Sequence, residues 1–213
     1  MNDACEDVRS GPEPRVVVFD LGKVLLDFDY GIAVRRLLPR MRLSLDQLQG
    51  YLTEGSVLGE YESGQLTTAE FFERARVLTG YDGSMDSFDE AFADIFSEIP
   101  PMVALQAGLR KGGWRTYILS NTNELAIRHI RRRFPFFAGF DGYVLSYEHQ
   151  ALKPGPRLYE VTEGMTGCRG SELFYLDDRP ENVAAARARG WQAVVHESYE
   201  ASRAAARAAG LPV

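Results

Sequence analysis

The feature that most constrains this chain is a set of short apolar runs, most of which end in residues with chemistry to offer. Val16-Val17-Val18-Phe19 leads into Asp20, Thr116-Tyr117-Ile118-Leu119 into Ser120, and Leu173-Phe174-Tyr175-Leu176 into Asp177 and Asp178. Tyr143-Val144-Leu145 leads to Ser146 and on to Lys153, and Ala193-Val194-Val195 is a further run without such an ending. Continuous runs of this length, rich in β-branched and aromatic residues, suit strands buried on both faces. Helical patterns alternate with them over residues 123–133, 156–165, 180–189 and 198–209, with Pro156 suited to a first turn and Gly190 and Gly210 suited to stops. Strand and helix in alternation predict an α/β fold with a doubly wound parallel sheet.

Residues 30–99 break that rhythm and read as an all-helical insert without a convincing strand. Leu37, Leu38, Leu45, Leu48, Tyr51 and Leu52 carry helical spacing. Thr67 and Glu70 form a capping box ahead of Phe71, Phe72 and Ala75. Phe88, Phe92, Ile95 and Phe96 repeat as one face of an amphipathic helix, and Pro100-Pro101 marks the return. The expected division is therefore a core of residues 15–29 and 100–213, a helical cap of residues 30–99, and a flexible N-terminus over residues 1–14. The cap aromatics are mostly expected in its own core, with Tyr30 and Tyr61 the ones placed toward a ligand.

Composition narrows the function classes. The 213 residues are 45% hydrophobic, enough for a sizeable core, and the net charge of −6 argues against a nucleic-acid partner. The N-terminus lacks the apolar stretch of a signal peptide, and no apolar run approaches membrane-spanning length. Cys5 and Cys168 cannot make a CxxC-type zinc site and fit a reducing compartment. A cytoplasmic protein, monomer or homodimer, acting on a small molecule is the expectation.

Ligands of open α/β sheets gather at the carboxyl ends of the strands. That edge would hold Asp20, Ser120, Lys153, Asp177 and Asp178. Alone, an aspartate after a strand is an ordinary turn or cap residue. Together these residues supply what phosphoryl transfer needs: a carboxylate nucleophile, carboxylate oxygens for a hard divalent cation, and fixed donors and a cation around the phosphoryl oxygens.

At this point the chain resembles a known family. Phe19-Asp20-Leu21-Gly22-Lys23-Val24-Leu25 is similar to the first motif of the haloacid dehalogenase superfamily, and Leu119-Ser120-Asn121-Thr122-Asn123 to its second. Leu152-Lys153-Pro154 resembles its third motif, and Tyr175-Leu176-Asp177-Asp178 with Asn182 its fourth, all in the family order. The resemblance implies a Rossmann-like core with a small C1-type helical cap and a magnesium-dependent hydrolase of a small phosphate ester. It makes Asp20 the nucleophile and, with Asp178 and the Gly22 carbonyl, a Mg2+ ligand. It makes Ser120, Asn121 and Lys153 the phosphate holders, Asp177 a ligand or a residue behind the ligands, and Asn182 the group that orients Asp178.

One departure matters. Most phosphatases of the family carry an aspartate two residues after the nucleophile to protonate the leaving oxygen, and here that residue is Gly22. General acid–base catalysis is worth roughly 10²–10⁴-fold. Three readings follow. The chain resembles a subgroup carrying Asp-Leu-Gly, which includes bacterial phosphatases of α-D-glucose 1-phosphate, whose leaving group needs the acid less. It also reads as a catalytically impaired phosphate- and metal-binding protein. A dehalogenase is the third reading, against which the Asp177-Asp178 pair counts. Glu60, Glu62 and His149 are the candidate substitutes for the missing acid.

Overall fold

A computed structural model of the chain describes residues 14–43 and 57–213. Five parallel strands form the sheet in the order β5-β4-β1-β6-β7: β1 Val16–Phe19, β4 Arg115–Ser120, β5 Gly142–Leu145, β6 Leu173–Asp177 and β7 Gln192–Val195. β1 lies at the centre with all four residues buried, because each face of the sheet is covered. Alternation along the strands assigns the side chains to two cores. Val17, Phe19, Ile118, Phe174 and Leu176 enter one core, with Leu105 and Leu109 of α5 (Pro100–Lys111) and Ile127 and Ile130 of α6 (Glu124–Arg133). Val16, Val18, Tyr117, Leu119 and Tyr175 enter the other, with Leu158 and Tyr159 of α8 (Pro156–Thr166) and Val183 and Ala186 of α9 (Pro180–Ala188). The chain closes with α10 (Tyr199–Ala208), which returns to the first face through Ala206.

The predicted α/β class and doubly wound sheet are observed. Two helices were not legible. Residues from Pro100 onward form α5, whose N1 position takes the proline. Ser146–His149 form a single turn, α7.

The insert contains α1 (Tyr30–Leu37), α2 (Val57–Glu62), α3 (Thr68–Thr79) and α4 (Met85–Ala93). The Thr67/Glu70 capping box is present at α3, as its sequence predicts. The helix expected through Phe96 instead stops at Ala93. Phe96–Glu98 form a strand, β3, antiparallel to β2 (Leu26–Phe28), so the insert returns through a two-stranded ribbon. Across the ribbon the Ile95 carbonyl accepts from the Asp29 N–H at 3.2 Å and the Leu25 carbonyl from the Ile99 N–H at 2.9 Å. The helical spacing read over Leu45, Leu48, Tyr51 and Leu52, and the expected flexible terminus over residues 1–13, lie outside the described residues. No helix among the described residues is long and apolar enough to cross a membrane.

The insert has its own core of stacked rings. Phe71 lies on Tyr61 with centroids 4.4 Å apart, and Phe88 lies on Phe92 at 5.7 Å. It is fastened to the sheet domain at two places. The Tyr61 hydroxyl accepts from the Leu125 N–H at 3.0 Å, at the start of α6. On the other side the Ser146 hydroxyl reaches the Glu62 carbonyl at 2.6 Å, and Gly64 lies against the backbone of Tyr147. Gly64 has φ +68°, and a Cβ there would stand 2.2 Å from the Tyr147 carbonyl oxygen. Both strain and collision therefore oppose any side chain at this junction. Gly64→Ala is expected to lower stability by about 1–3 kcal/mol, read as a reduced urea midpoint with an unchanged m-value.

Candidate active site

Parallel pairing of β1 with β4 and β6 brings Asp20, Ser120 and Asp177 to one edge, since each residue ends or immediately follows its strand. Lys153 reaches this edge from the loop between α7 and α8, where its bond to Pro154 is cis. Its side chain is buried, and Nζ donates to the Leu119 carbonyl at 2.8 Å and to Asp177 Oδ2 at 2.6 Å, with Asp20 Oδ1 at 3.0 Å and the Tyr175 hydroxyl at 3.1 Å. One ammonium thus ties together the ends of three neighbouring strands.

Asp20 is buried, and its Oδ1 also accepts from the Leu21 N–H at 2.7 Å. Both contacts fall on one oxygen, which fixes the plane of the carboxylate. Burial pushes the Asp20 carboxyl up to about 7 against the pull of Lys153, and the neighbouring Asp177 adds to the rise. For Asp177, burial raises the carboxyl, but the Lys153 ammonium and the hydrogen bonds it accepts outweigh burial and hold it below the ordinary range. Lys153 is likewise held above its ordinary range, because Asp20 and Asp177 outweigh its burial. Asp178 is half-buried and is raised by burial and then by the charge of Asp177.

Three carboxylates beside one lysine leave an excess of negative charge in a poorly solvated place. Asp20, Asp177 and Asp178 each offer an oxygen, all within 4.8 Å of one another. Hard oxygen donors so arranged fit magnesium, which takes carboxylates and keeps some of its water. The histidines are not part of this cluster.

The two aspartates of the β6 motif are not equivalent. Asp177 accepts from Lys153, from the Tyr175 hydroxyl, from the Arg179 N–H at 2.8 Å and from the Asn182 amide at 3.0 and 3.1 Å. Its lone pairs are thus largely committed to the protein, which leaves Asp178 the more available of the two as an oxygen donor. Asn182 therefore orients Asp177, and the expectation that it orients Asp178 is corrected. The amide reaches back one turn of α9 to the strand end, where Asp177 points into the domain.

Other expected site residues fare differently. Ser120 is buried at the edge, with its hydroxyl 3.3 Å from the Asn121 carbonyl. The Asn121 side chain, expected on phosphate, instead grips the Lys153 backbone: its amide donates to the Lys153 carbonyl at 3.0 Å and its oxygen accepts from the Lys153 N–H at 2.8 Å. Tyr61 does not face a ligand. It is 1% exposed, stacked on Phe71 and hydrogen-bonded to Thr68 at 2.8 Å, because the insert needs its ring in the core and its hydroxyl at the junction. Glu60 is on the insert surface, paired with Arg74. His149 is half-buried at the end of α7. Tyr30 is half-buried, its hydroxyl 3.4 Å from Glu62 Oε1 and its ring against Phe28. Gly22 bridges to Leu26, and a Cβ on it would meet Phe28 Cε1 at 2.9 Å.

Tyr175 and Phe28 escaped the sequence reading. Tyr175 sits in a run that reads as plain core, and only the period-two alternation places it on the same face as the residues near Lys153. No local signal marks Phe28.

A doubly wound sheet carrying a lysine-bridged aspartate and an acidic cluster at its carboxyl edge puts the chain in the Rossmann-like class. A family model described as haloacid dehalogenase-like hydrolase matches residues 14–190, and the chain belongs to that family. It is similar to a D-ribitol-5-phosphate phosphatase of Bacteroides thetaiotaomicron, 25% identical over 183 residues that cover 83% of this chain and 88% of the relative. Its fold is similar to that of a haloacid dehalogenase-family enzyme of the same bacterium, solved with magnesium and inorganic phosphate. The TM-score is 0.77 at 23% identity, covering 85% of this chain and 93% of the other. A haloacid dehalogenase-like hydrolase structure from Porphyromonas gingivalis gives a TM-score of 0.74 at 23% identity, covering 86% and 91%.

Among the described residues, Lys153 is the cation buried inside this acidic edge. Lys153→Met leaves buried carboxylates without their countercharge, and breaking such a pair typically costs about 3–5 kcal/mol. The expected result is a large drop in urea midpoint that millimolar magnesium partly restores, measured by unfolding with and without the ion.

Proposed function

We propose that the chain is a magnesium-dependent phosphatase of a small phosphorylated metabolite, working through a phosphoryl group carried transiently on Asp20. The observation that carries this reading is the buried Asp20 carboxylate, oriented by Lys153 and Leu21 and grouped with Asp177 and Asp178. Asp20 would attack phosphorus in line with the leaving oxygen. Lys153 and Ser120 would hold phosphoryl oxygens as charge develops on them. Asp20, Asp178 and the Gly22 carbonyl would hold magnesium, which supplies charge neutralisation between two anions when bound. Asn121 acts through Lys153, whose backbone it clamps.

A sugar phosphate such as α-D-glucose 1-phosphate remains the substrate suggested by the Asp-Leu-Gly motif. The named activity of the relative on D-ribitol 5-phosphate supports a wider class of small polyhydroxy phosphates. A second reading, a phosphate- and metal-binding protein without turnover, is favoured by one observation: Gly22 carries no acid, and Phe28 fills the space beside it.

Phosphate release from a panel of sugar, polyol and aryl phosphates decides between them. The expected outcome is magnesium-dependent turnover that excess chelator stops. Asp20→Asn is expected to remove at least about 10³-fold of the rate while keeping the parent unfolding midpoint, as loss of a covalent nucleophile should. Binding of phosphate by the parent without turnover would favour the second reading.

A further inference from the structure

A phosphatase with glycine at residue 22 leaves the proton of the leaving group unassigned. We infer that Glu62, carried by the insert, is the general acid that protonates the leaving oxygen and the general base that then activates water. This assignment rests on the phosphatase reading above.

The loop after β1 cannot supply the proton. The space a side chain at residue 22 would enter is taken by Phe28, whose ring is held by Tyr30 at 5.5 Å, by Phe96 at 6.1 Å and by the Lys23 ammonium 4.7 Å above it. The nearby carboxylates are committed to charges or caps. Asp27 pairs with Lys23 and accepts from the Phe28 N–H. Asp29 caps α1 through the Gly31 N–H and pairs with Arg35. On the insert, Glu60 pairs with Arg74.

Glu62 differs from all of these. Its hydrogen-bond partner is neutral, the Tyr30 hydroxyl at 3.4 Å from Oε1. Its backbone carbonyl is held at 2.6 Å by Ser146, whose hydroxyl also accepts from the Thr122 N–H at 2.8 Å. Glu62 is thereby tied to the loop that follows Ser120. It also feels the charge of Arg179, the residue after Asp178. Tyr30, which touches its carboxylate, leans on the ring that covers Gly22. Tyr30 opens α1, Ser146 opens α7 after β5 and bonds the loop after β4 at Thr122, and Arg179 follows β6, so these contacts set Glu62 beside the segments that flank Asp20, Ser120 and Asp177. Burial raises the Glu62 carboxyl despite Tyr30 and Arg179, the direction an acid working near neutrality needs.

The step balances. As the Asp20 oxygen bonds to phosphorus and the phosphorus–oxygen bond to the leaving group breaks, the Glu62 proton passes to the leaving oxygen. Water then attacks phosphorus, the Asp20–phosphorus bond breaks, and one water proton returns to Glu62. Nothing is oxidised or reduced.

The test compares Glu62→Gln with the parent chain, with magnesium, on para-nitrophenyl phosphate and on β-glycerophosphate. The first substrate leaves without an acid. The variant is expected to release one equivalent of nitrophenolate per site in a burst and then slow, with phosphate trapped covalently on the protein. On β-glycerophosphate no burst appears, and the rate falls by about 10²-fold or more. Glu62→Asp, which keeps the acid at shorter reach, is expected to fall between, and it preserves the test if the glutamine variant does not fold. Equal slowing of both substrates with a higher KM and no trapped phosphate would overturn the assignment and leave Glu62 a substrate-positioning residue. Unchanged rates would overturn it outright. A parent chain inactive on both substrates would overturn the phosphatase reading itself.

Discussion

The ammonium of Lys153 is the contact on which the edge of the sheet depends. It reaches the end of β4 through a carbonyl, the end of β1 through Asp20 and the end of β6 through Asp177. A cation in that position lets two carboxylates approach each other in a place where burial alone would protonate one of them. The loop that carries it is held by Asn121 from the neighbouring strand, so the position of the charge follows from backbone as well as side-chain bonds. Remaining acidity, on Asp178, is what a divalent cation would meet.

From that edge the architecture extends outward in two directions. Below it, strand alternation sends Phe19, Ile118 and Leu176 to one core and Val18, Leu119 and Tyr175 to the other, so both helical layers brace the same three strands. Above it, the insert closes through Tyr61 onto α6 and through Glu62 and Gly64 onto α7. The helical module is thus held at two places beside the strand ends. Phe28 and Tyr30 sit where these two parts meet. The Phe28 ring occupies the room that a side chain at residue 22 would enter, and Tyr30 joins that ring to Glu62 of the insert.

Much of the fold was legible because it follows from local patterns. Apolar runs mark the central strands, prolines open α8 and α9, and the Thr67/Glu70 box starts α3. The ribbon of β2 and β3 was not, because the spacing of Phe88, Phe92, Ile95 and Phe96 suits a helix, and only pairing with a distant segment makes Phe96–Glu98 a strand. Tyr61 illustrates the same limit in the site. An aromatic in the cap is equally suited to a core or to a ligand, and its hydroxyl bond to Leu125 crosses 64 residues of chain.

By itself the sequence determined the class of fold, the strand-end residues Asp20, Ser120, Lys153, Asp177 and Asp178, and the absence of an acid at residue 22. These are properties of short stretches, readable from apolar runs and from the residues that end them. Tertiary structure alone decided which aspartate is saturated with hydrogen bonds, that Asn121 serves Lys153, that Phe28 covers Gly22, and that Glu62 stands beside Tyr30. Most of those outcomes depend on contacts between residues far apart in the chain, 32 positions for Asn121 with Lys153 and for Tyr30 with Glu62. Such contacts exist only once the sheet has brought the strand ends together and the insert has docked on them.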